Sequence, residues 1–444
     1  MPEGPGQPIP GADPQPRLVA GDADEPASPN ERYWARSLAA AWVAQLLSIV
    51  GFSFVMPFIP FYIRELGVTG EKAVAMWAGI AITGSGLTMA LTAPIWGIIS
   101  DRYGRKAMVQ RSMFGGAVVM AVMGLSGNIY QLVALRALQG MMTGTMSASI
   151  ALVSSITPRR RLGFSLGMMQ AAVFAGSAIG PWLGGIASDH FGYRLPFALT
   201  GLLLCFAGTV VLFLVHEDFT PAPASEQGGA GLRDVLAIPG FKNLCLLVTL
   251  TSFGFVVFVP TFPLFVEKLM HTKTHVASMT GMIESIASLM AGLSAVTLGR
   301  LGDRLGHRRL LVSCTTLSGI FSGLAAFVRS IPELIGFRVA FGLAAGGTSP
   351  VMNAIIADSV PVGGFGRAYG LTTAAGSSGW GLGPLVGGAL AAQYGLRMPF
   401  VATGVMLVLV SLFAAHYFAG RRREALARAA LREVDLPEGT LPDS

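Results

Sequence analysis

Apolar residues fill this chain in long blocks, and short polar stretches interrupt them at regular intervals. The blocks run over 38–62, 76–99, 107–126, 131–153, 164–188, 196–215, 241–266, 276–298, 309–328, 332–356, 366–391 and 398–419. A helix needs about 20 residues to cross a hydrocarbon core of about 30 Å, and each block is close to that length. In lipid every backbone N–H and C=O must be paired inside the protein, and these blocks are too long for barrel strands. The pattern therefore predicts an all-α polytopic membrane protein with twelve transmembrane helices. The polar break at 216–240 is longer than most and rich in Pro, Gly, Ser and Glu, so it reads as a linker between two six-helix halves, 32–215 and 241–419. Residues 1–31 have the composition of a disordered tail. They lack the basic-then-apolar order of a cleavable signal peptide, so the first span is expected to act as the insertion signal. Residues 420–444 form a second tail, opening on Arg421, Arg422 and Arg423, which suit an anionic membrane surface.

Charge sharpens this picture. Only 12% of the 444 residues are charged, about half the share of a soluble domain. The net charge of +7 could suggest nucleic acid, but its distribution argues against that partner. The basic residues gather in the tails and in the loops on the tails' side, while Arg64, Lys72, Arg194, Lys268, Lys273, Arg329 and Arg397 are the Lys and Arg of the opposite side. By the positive-inside rule both termini are cytoplasmic. Cys205, Cys245 and Cys314 lie inside apolar blocks without metal-ligand spacing. They read as small packing residues, with no disulfide and no metal expected.

The two halves repeat each other. Gly97, Asp101, Arg102, Gly104, Arg105 and Lys106 form a charged loop between the second and third spans, and Gly299, Asp303 and Arg304 return 202 positions later. Pro57 and Pro60 recur as Pro260 and Pro263, Arg136 as Arg338, and Gly180-Pro181 as Gly383-Pro384. Paired six-helix repeats place a substrate near the midplane between them.

Few side chains carry candidate chemistry. Arg136 lies inside the fourth span, where a charge is costly unless paired or wetted. Snorkelling to the interface is the plainer reading. Glu284 is the one acid near the middle of a block, sharing a face with Gly281 and Ser288. It reads either as a proton-coupling or cation-binding acid or as a satisfied structural one. Gly176, Gly180 and Gly184 form a stripe that permits close helix approach, with Gly185 beside it and Pro181 bending the helix. The expected cavity is apolar and adaptable, lined by Phe54, Met56, Gln139, Met142, Gln170, Phe174, Phe255, Glu284 and Trp380.

Other signals fail on context. Gly163-Phe-Ser-Leu-Gly167 has the hydrolase-elbow spacing but no preceding strand. His271 and His275 are spaced i, i+4 in a polar loop without an acid cluster. No phosphate-binding loop is present, and no catalytic cluster supports an intramembrane enzyme.

The 97–106 loop resembles the loop between the second and third helices of the major facilitator superfamily. Arg136, Gln139 and Gly140 resemble its fourth-helix motif, and 176–185 its antiporter motif. The run 53–60 and Met76-Trp77-Ala-Gly79 look closest to the MdtG-like, tetracycline-exporter-like branch of the drug:proton antiporters. The likeness spans about residues 35 to 420. It implies a bacterial inner-membrane exporter whose partners are lipophilic or cationic drugs, protons and the bilayer, with a monomeric state, no cofactor and the proton gradient as energy source. It also implies that Asp101, with Arg102 and Arg105, latches onto the eleventh span when the cavity faces outward, and that Arg136 takes part in proton transfer; Asp101 is a further proton-coupling candidate beside Glu284 and Arg136. The first span carries Gln45 where many such antiporters carry an acid. An uptake permease for a small metabolite is the alternative.

Overall fold

The structure is a computed structural model that describes residues 29–219, 237–359 and 365–434. The expected tails and linker lie largely outside these residues. Twelve passages are traced. Helices Glu71–Tyr103, Arg105–Met123, Leu162–Phe191 and Leu195–Leu214 form the second, third, fifth and sixth. Val276–Leu305, His307–Ala325, Phe365–Tyr394 and Met398–Val434 form the eighth, ninth, eleventh and twelfth, the last running well past its apolar block.

The other four passages are interrupted, which the unbroken apolar blocks did not predict. Pro57 and Pro260 remove backbone donors, so the first and seventh spans pass through 3-10 turns at Met56–Phe58 and Val259–Thr261. The fourth breaks between Ile129–Met142 and Thr145–Ile156, where Gly144 adopts a φ of 116°. The tenth breaks between Ile331–Ala345 and Thr348–Asp358, at Gly346 and Gly347. Among the described residues, eight helical stretches are long and apolar enough to cross a membrane on composition alone. The third and ninth spans are diluted by basic and hydroxyl residues, the fourth by its break, and the eleventh by Gly and Ser.

Helix packing repeats across the halves. The first span packs on the fifth and sixth, the third on the sixth, and the second on the fourth. The seventh on the eleventh and twelfth, the ninth on the twelfth, and the eighth on the tenth mirror them. The halves meet chiefly through the second span on the eleventh and the fifth on the eighth, with the turns of the first and seventh spans adding smaller contacts.

Those contacts lie towards one end of the bundle. A side chain on Gly79, Gly86 or Gly388 would strike the facing second or eleventh span. At the end carrying the described termini, a Cβ on Gly97, Gly163, Gly167, Gly299 or Gly370 would meet nothing within 4 Å. The bundle is closed at the distal end and open at the terminal end.

Candidate functional site

The distal seam is built by the small-residue stripe. Gly176, Gly180 and Gly184 receive Ile49, Ser53 and Phe54 of the first span, and Gly185 turns to Ala277 and Ser278 of the eighth. Gly281 of the eighth span presses on the carbonyl of Pro181 so closely that any Cβ would collide with it. Ser285 Oγ accepts the Trp182 N–H at 3.2 Å. Gly379, Gly383 and Gly387 seat the seventh span on the eleventh in the same way. The motif is thus a packing device present in both halves, and in the fifth span it also closes the seam. At the rim, Asp189 Oδ2 accepts the Ser278 N–H at 2.8 Å, and Arg64 pairs with Glu267 across the halves at 2.6 Å.

Below the seam lies a charged pair. Arg338 Nη2 donates to both Glu284 carboxylate oxygens at 2.9 Å, joining the tenth span to the eighth. The guanidinium carbon sits 4.7, 4.9 and 5.0 Å from the ring centres of Phe258, Phe262 and Phe341. Cation–π attraction and apolar walls hold Arg338 in place. Its side chain is 6% exposed and that of Glu284 29%, so one face of the carboxylate is open. The spacing of Glu284 from Gly281 and Ser288 could not reveal this partner, 54 residues away.

The other half solves the same problem differently. The position 202 before Glu284 is Ile82, and that before Phe341 is Gln139. Arg136, repeat of Arg338, therefore meets no acid among the described residues. It is 2% exposed and donates to Gln139 Oε1 at 3.1 Å, while its Nε and Nη2 have no partner among the described residues. Both amide atoms of Gln45 are likewise buried without a partner. Among the described residues, Arg136 thus lacks the carboxylate partner that Arg338 has.

Of the expected cavity residues, Met56, Gln170, Phe174 and Phe255 are half-buried and Trp380 is exposed. Phe174 reaches across to Gly292 of the eighth span. Met142 packs on Gly115, and its carbonyl accepts from Arg111 at 2.8 Å. Phe54 and Gln139 correct the expectation. Phe54 is 7% exposed because its backbone is seated on Gly184, and Gln139 is turned onto Arg136.

In the charged loop, Gly104 adopts a φ of 93°, a turn that admits glycine most readily, and Gly306 repeats it at 88°. The Asp101 side chain lies outside what the structure describes. A Cβ on Gly97 would meet nothing within 4 Å. A residue the sequence reading passed over organises the loop instead. Glu217 accepts the Arg105 N–H at 3.0 Å and the Lys106 N–H at 2.7 Å, capping the third span. Lys106 Nζ donates to the carbonyls of Leu212 and Val215, both at 2.8 Å. Burial lowers the Lys106 ammonium from its ordinary value, and Glu217 opposes that shift. Arg102 and Arg105 lie over Tyr103 and Phe219, each at 5.6 Å. In the repeat, Asp303 and Asp358 flank His307 at 3.3 and 3.9 Å, and Arg304 closes the eighth span's last turn.

Twin halves, glycine seams and repeated arginines agree with sequence comparison, in which the Major Facilitator Superfamily matches residues 41–283 and 244–440. The chain belongs to that superfamily. It is 33% identical over 395 residues to multidrug resistance protein MdtG of Salmonella dublin, covering 88% of this chain and 97% of that one. MdtG of Citrobacter koseri is 34% identical over 402 residues, covering 89% and 97%. Among solved structures, a bacterial homolog of the human lysosomal transporter Spinster, inward-facing and occupied, superposes with a TM-score of 0.72 at 15% identity, covering 88% of this chain and 97% of that one. The human organic anion transporter MFSD10 (TETRAN) gives 0.66 at 17%, covering 86% and 99%. At such identities these two show the major facilitator fold alone.

Proposed function

We propose that the protein exports lipophilic small molecules from the bacterial cytoplasm in exchange for protons, by alternating access between its two halves. The observation that carries the direction is the likeness to multidrug resistance proteins over 88% of the chain. The seam supports the mechanism, because backbone-to-backbone contacts through Gly185 and Gly281 can part and re-form without repacking large side chains. With both termini in the cytoplasm, the open end faces inward and the arrangement is the one that loads substrate.

Glu284 is proposed as the coupling acid. Its carboxylate is half open and already paired. A proton arriving on it removes the charge that Arg338 holds, and release of that proton restores the pair. The difference between the two states is the kind of differential interaction that can bias a conformational equilibrium. Arg136 is proposed to stabilise a passing negative charge in the other half. Asp101, with Gly97, Arg102, Gly104, Arg105 and Lys106, is proposed to latch onto the eleventh span once the cytoplasmic end closes, and Asp303 and Arg304 to steady the repeat loop.

The test uses inside-out vesicles with an acid interior. Addition of lipophilic compounds should release the pH gradient in vesicles carrying the wild type and not in those carrying Glu284→Gln. Release from both moves coupling away from Glu284. Compound-dependent entry into intact cells, with no gradient release, overturns export.

A further inference from the structure

The distal rim brings together two histidines that are 85 positions apart. His190 ends the fifth span and His275 opens the eighth, and their ring centres are 6.0 Å apart across the seam between the halves. Both are exposed. The Nδ1 of His190 lies 3.0 Å from the Ile186 carbonyl, a contact in which the ring donates. That bond fixes the tautomer and leaves the Nε2 lone pair free, the arrangement seen in metal-bound imidazoles, whose other nitrogen is held by a backbone carbonyl or carboxylate. His275 adopts a φ of 57°, an uncommon conformation for any residue other than glycine. Asp189 stands next to His190, with Oδ2 on the eighth span's first turn.

We propose that His190 and His275 bind one divalent transition cation of the zinc class across the distal seam, and that the bound ion holds the two halves closed there. A tetrahedral zinc with Zn–N bonds of about 2.1 Å sets two imidazole centres about 5.3 Å apart, so about 0.7 Å of approach completes the geometry. No group of three or more His, Cys, Asp or Glu suited to a metal occurs among the described residues. Water fills the ion's other positions. Such a site is an inhibitory one. An ion that binds only the closed-seam state shifts the population towards it and slows every cycle that must open the distal end. The sequence hid this pair because His275 has a nearer histidine, His271, at helical spacing.

The experiment uses the purified full chain in detergent, stripped with a chelator and then titrated with zinc chloride against a chromogenic chelator. One zinc per chain is expected, with affinity at least tenfold weaker in His190→Gln and in His275→Gln, and unchanged in His271→Gln. In the wild type, zinc should also protect His190 and His275 from diethylpyrocarbonate, located by mass spectrometry. This second reading does not depend on how well a variant folds. Absence of one-to-one binding, loss in only one of the two variants, or equal labelling with and without zinc overturns the proposal.

Discussion

Replacing Glu284 with Gln leaves a buried guanidinium without its anion. Two unit charges 2.9 Å apart attract by about 6 kcal/mol at an effective dielectric constant of about 20. Glu284 is 29% exposed, so water screens part of that attraction, and the Gln carbonyl still accepts one hydrogen bond. The three Phe rings around Arg338 attract the guanidinium in both proteins and so cancel in the difference. A loss of about 3 kcal/mol remains, at the lower edge of what breaking a buried pair costs. Replacing both partners, with Glu284→Gln and Arg338→Met, removes the stranded charge and should recover at least half of that loss. The assay is unfolding in mixed micelles of dodecyl maltoside and increasing dodecyl sulfate, followed by tryptophan fluorescence. The double-mutant cycle should give a coupling of about 2–3 kcal/mol. The reasoning is refuted if Glu284→Gln unfolds within about 0.5 kcal/mol of the wild type, or if the two substitutions add without coupling.

Four further outcomes follow from the geometry. Arg136→Met should leave the unfolding midpoint unchanged or raised while transport falls, since it removes a buried charge whose one hydrogen-bond partner among the described residues is Gln139. A lowered midpoint would mean that Arg136 has a partner in the native state. Gly281→Val puts a side chain against the Pro181 carbonyl, so spin labels at Phe191 and Lys273 should move apart by several ångströms. An unchanged distance distribution contradicts the seam. Arg64→Gln breaks the 2.6 Å rim pair, whose partly exposed partners limit the effect to about 1 kcal/mol, a shift of roughly fivefold in the ratio of closed to open seam. The same labels read it. Glu217→Ala removes the cap from the third span and should cost about 1 kcal/mol in the micelle assay. Glu217→Gln should recover part of that, because the amide oxygen still accepts.

Much of the fold was legible because lipid leaves a chain few choices. Unbroken apolar blocks can only be helices, and the 202-residue offset of Asp101 to Asp303 exposed the repeat before any coordinates. The interruptions were less legible. Gly144 looks like an ordinary small residue in a span until its φ of 116° is known. The site was legible in part, and for a definite reason. Periodicity shows which residues share a helix face, so Glu284 stood out beside Gly281. It does not show which helix that face meets, so nothing in the spacing marks Arg338 as the side chain that holds the Glu284 carboxylate. Phe54 went the same way, since an aromatic in a cavity-lining span gives no sign that a glycine on a neighbouring helix will swallow its backbone. Glu217 was hidden by its surroundings, one acid among the polar residues that follow a span.

The Arg338–Glu284 pair also bears on biogenesis. The eighth span leaves the ribosome roughly fifty residues ahead of the tenth, so its carboxylate enters the bilayer before its partner exists. An acid at a span centre disfavours insertion by about 2.5–3.5 kcal/mol. Release of the eighth span into lipid is therefore expected to wait for Arg338, and nascent chains cut short before residue 331 should retain that span at the translocon.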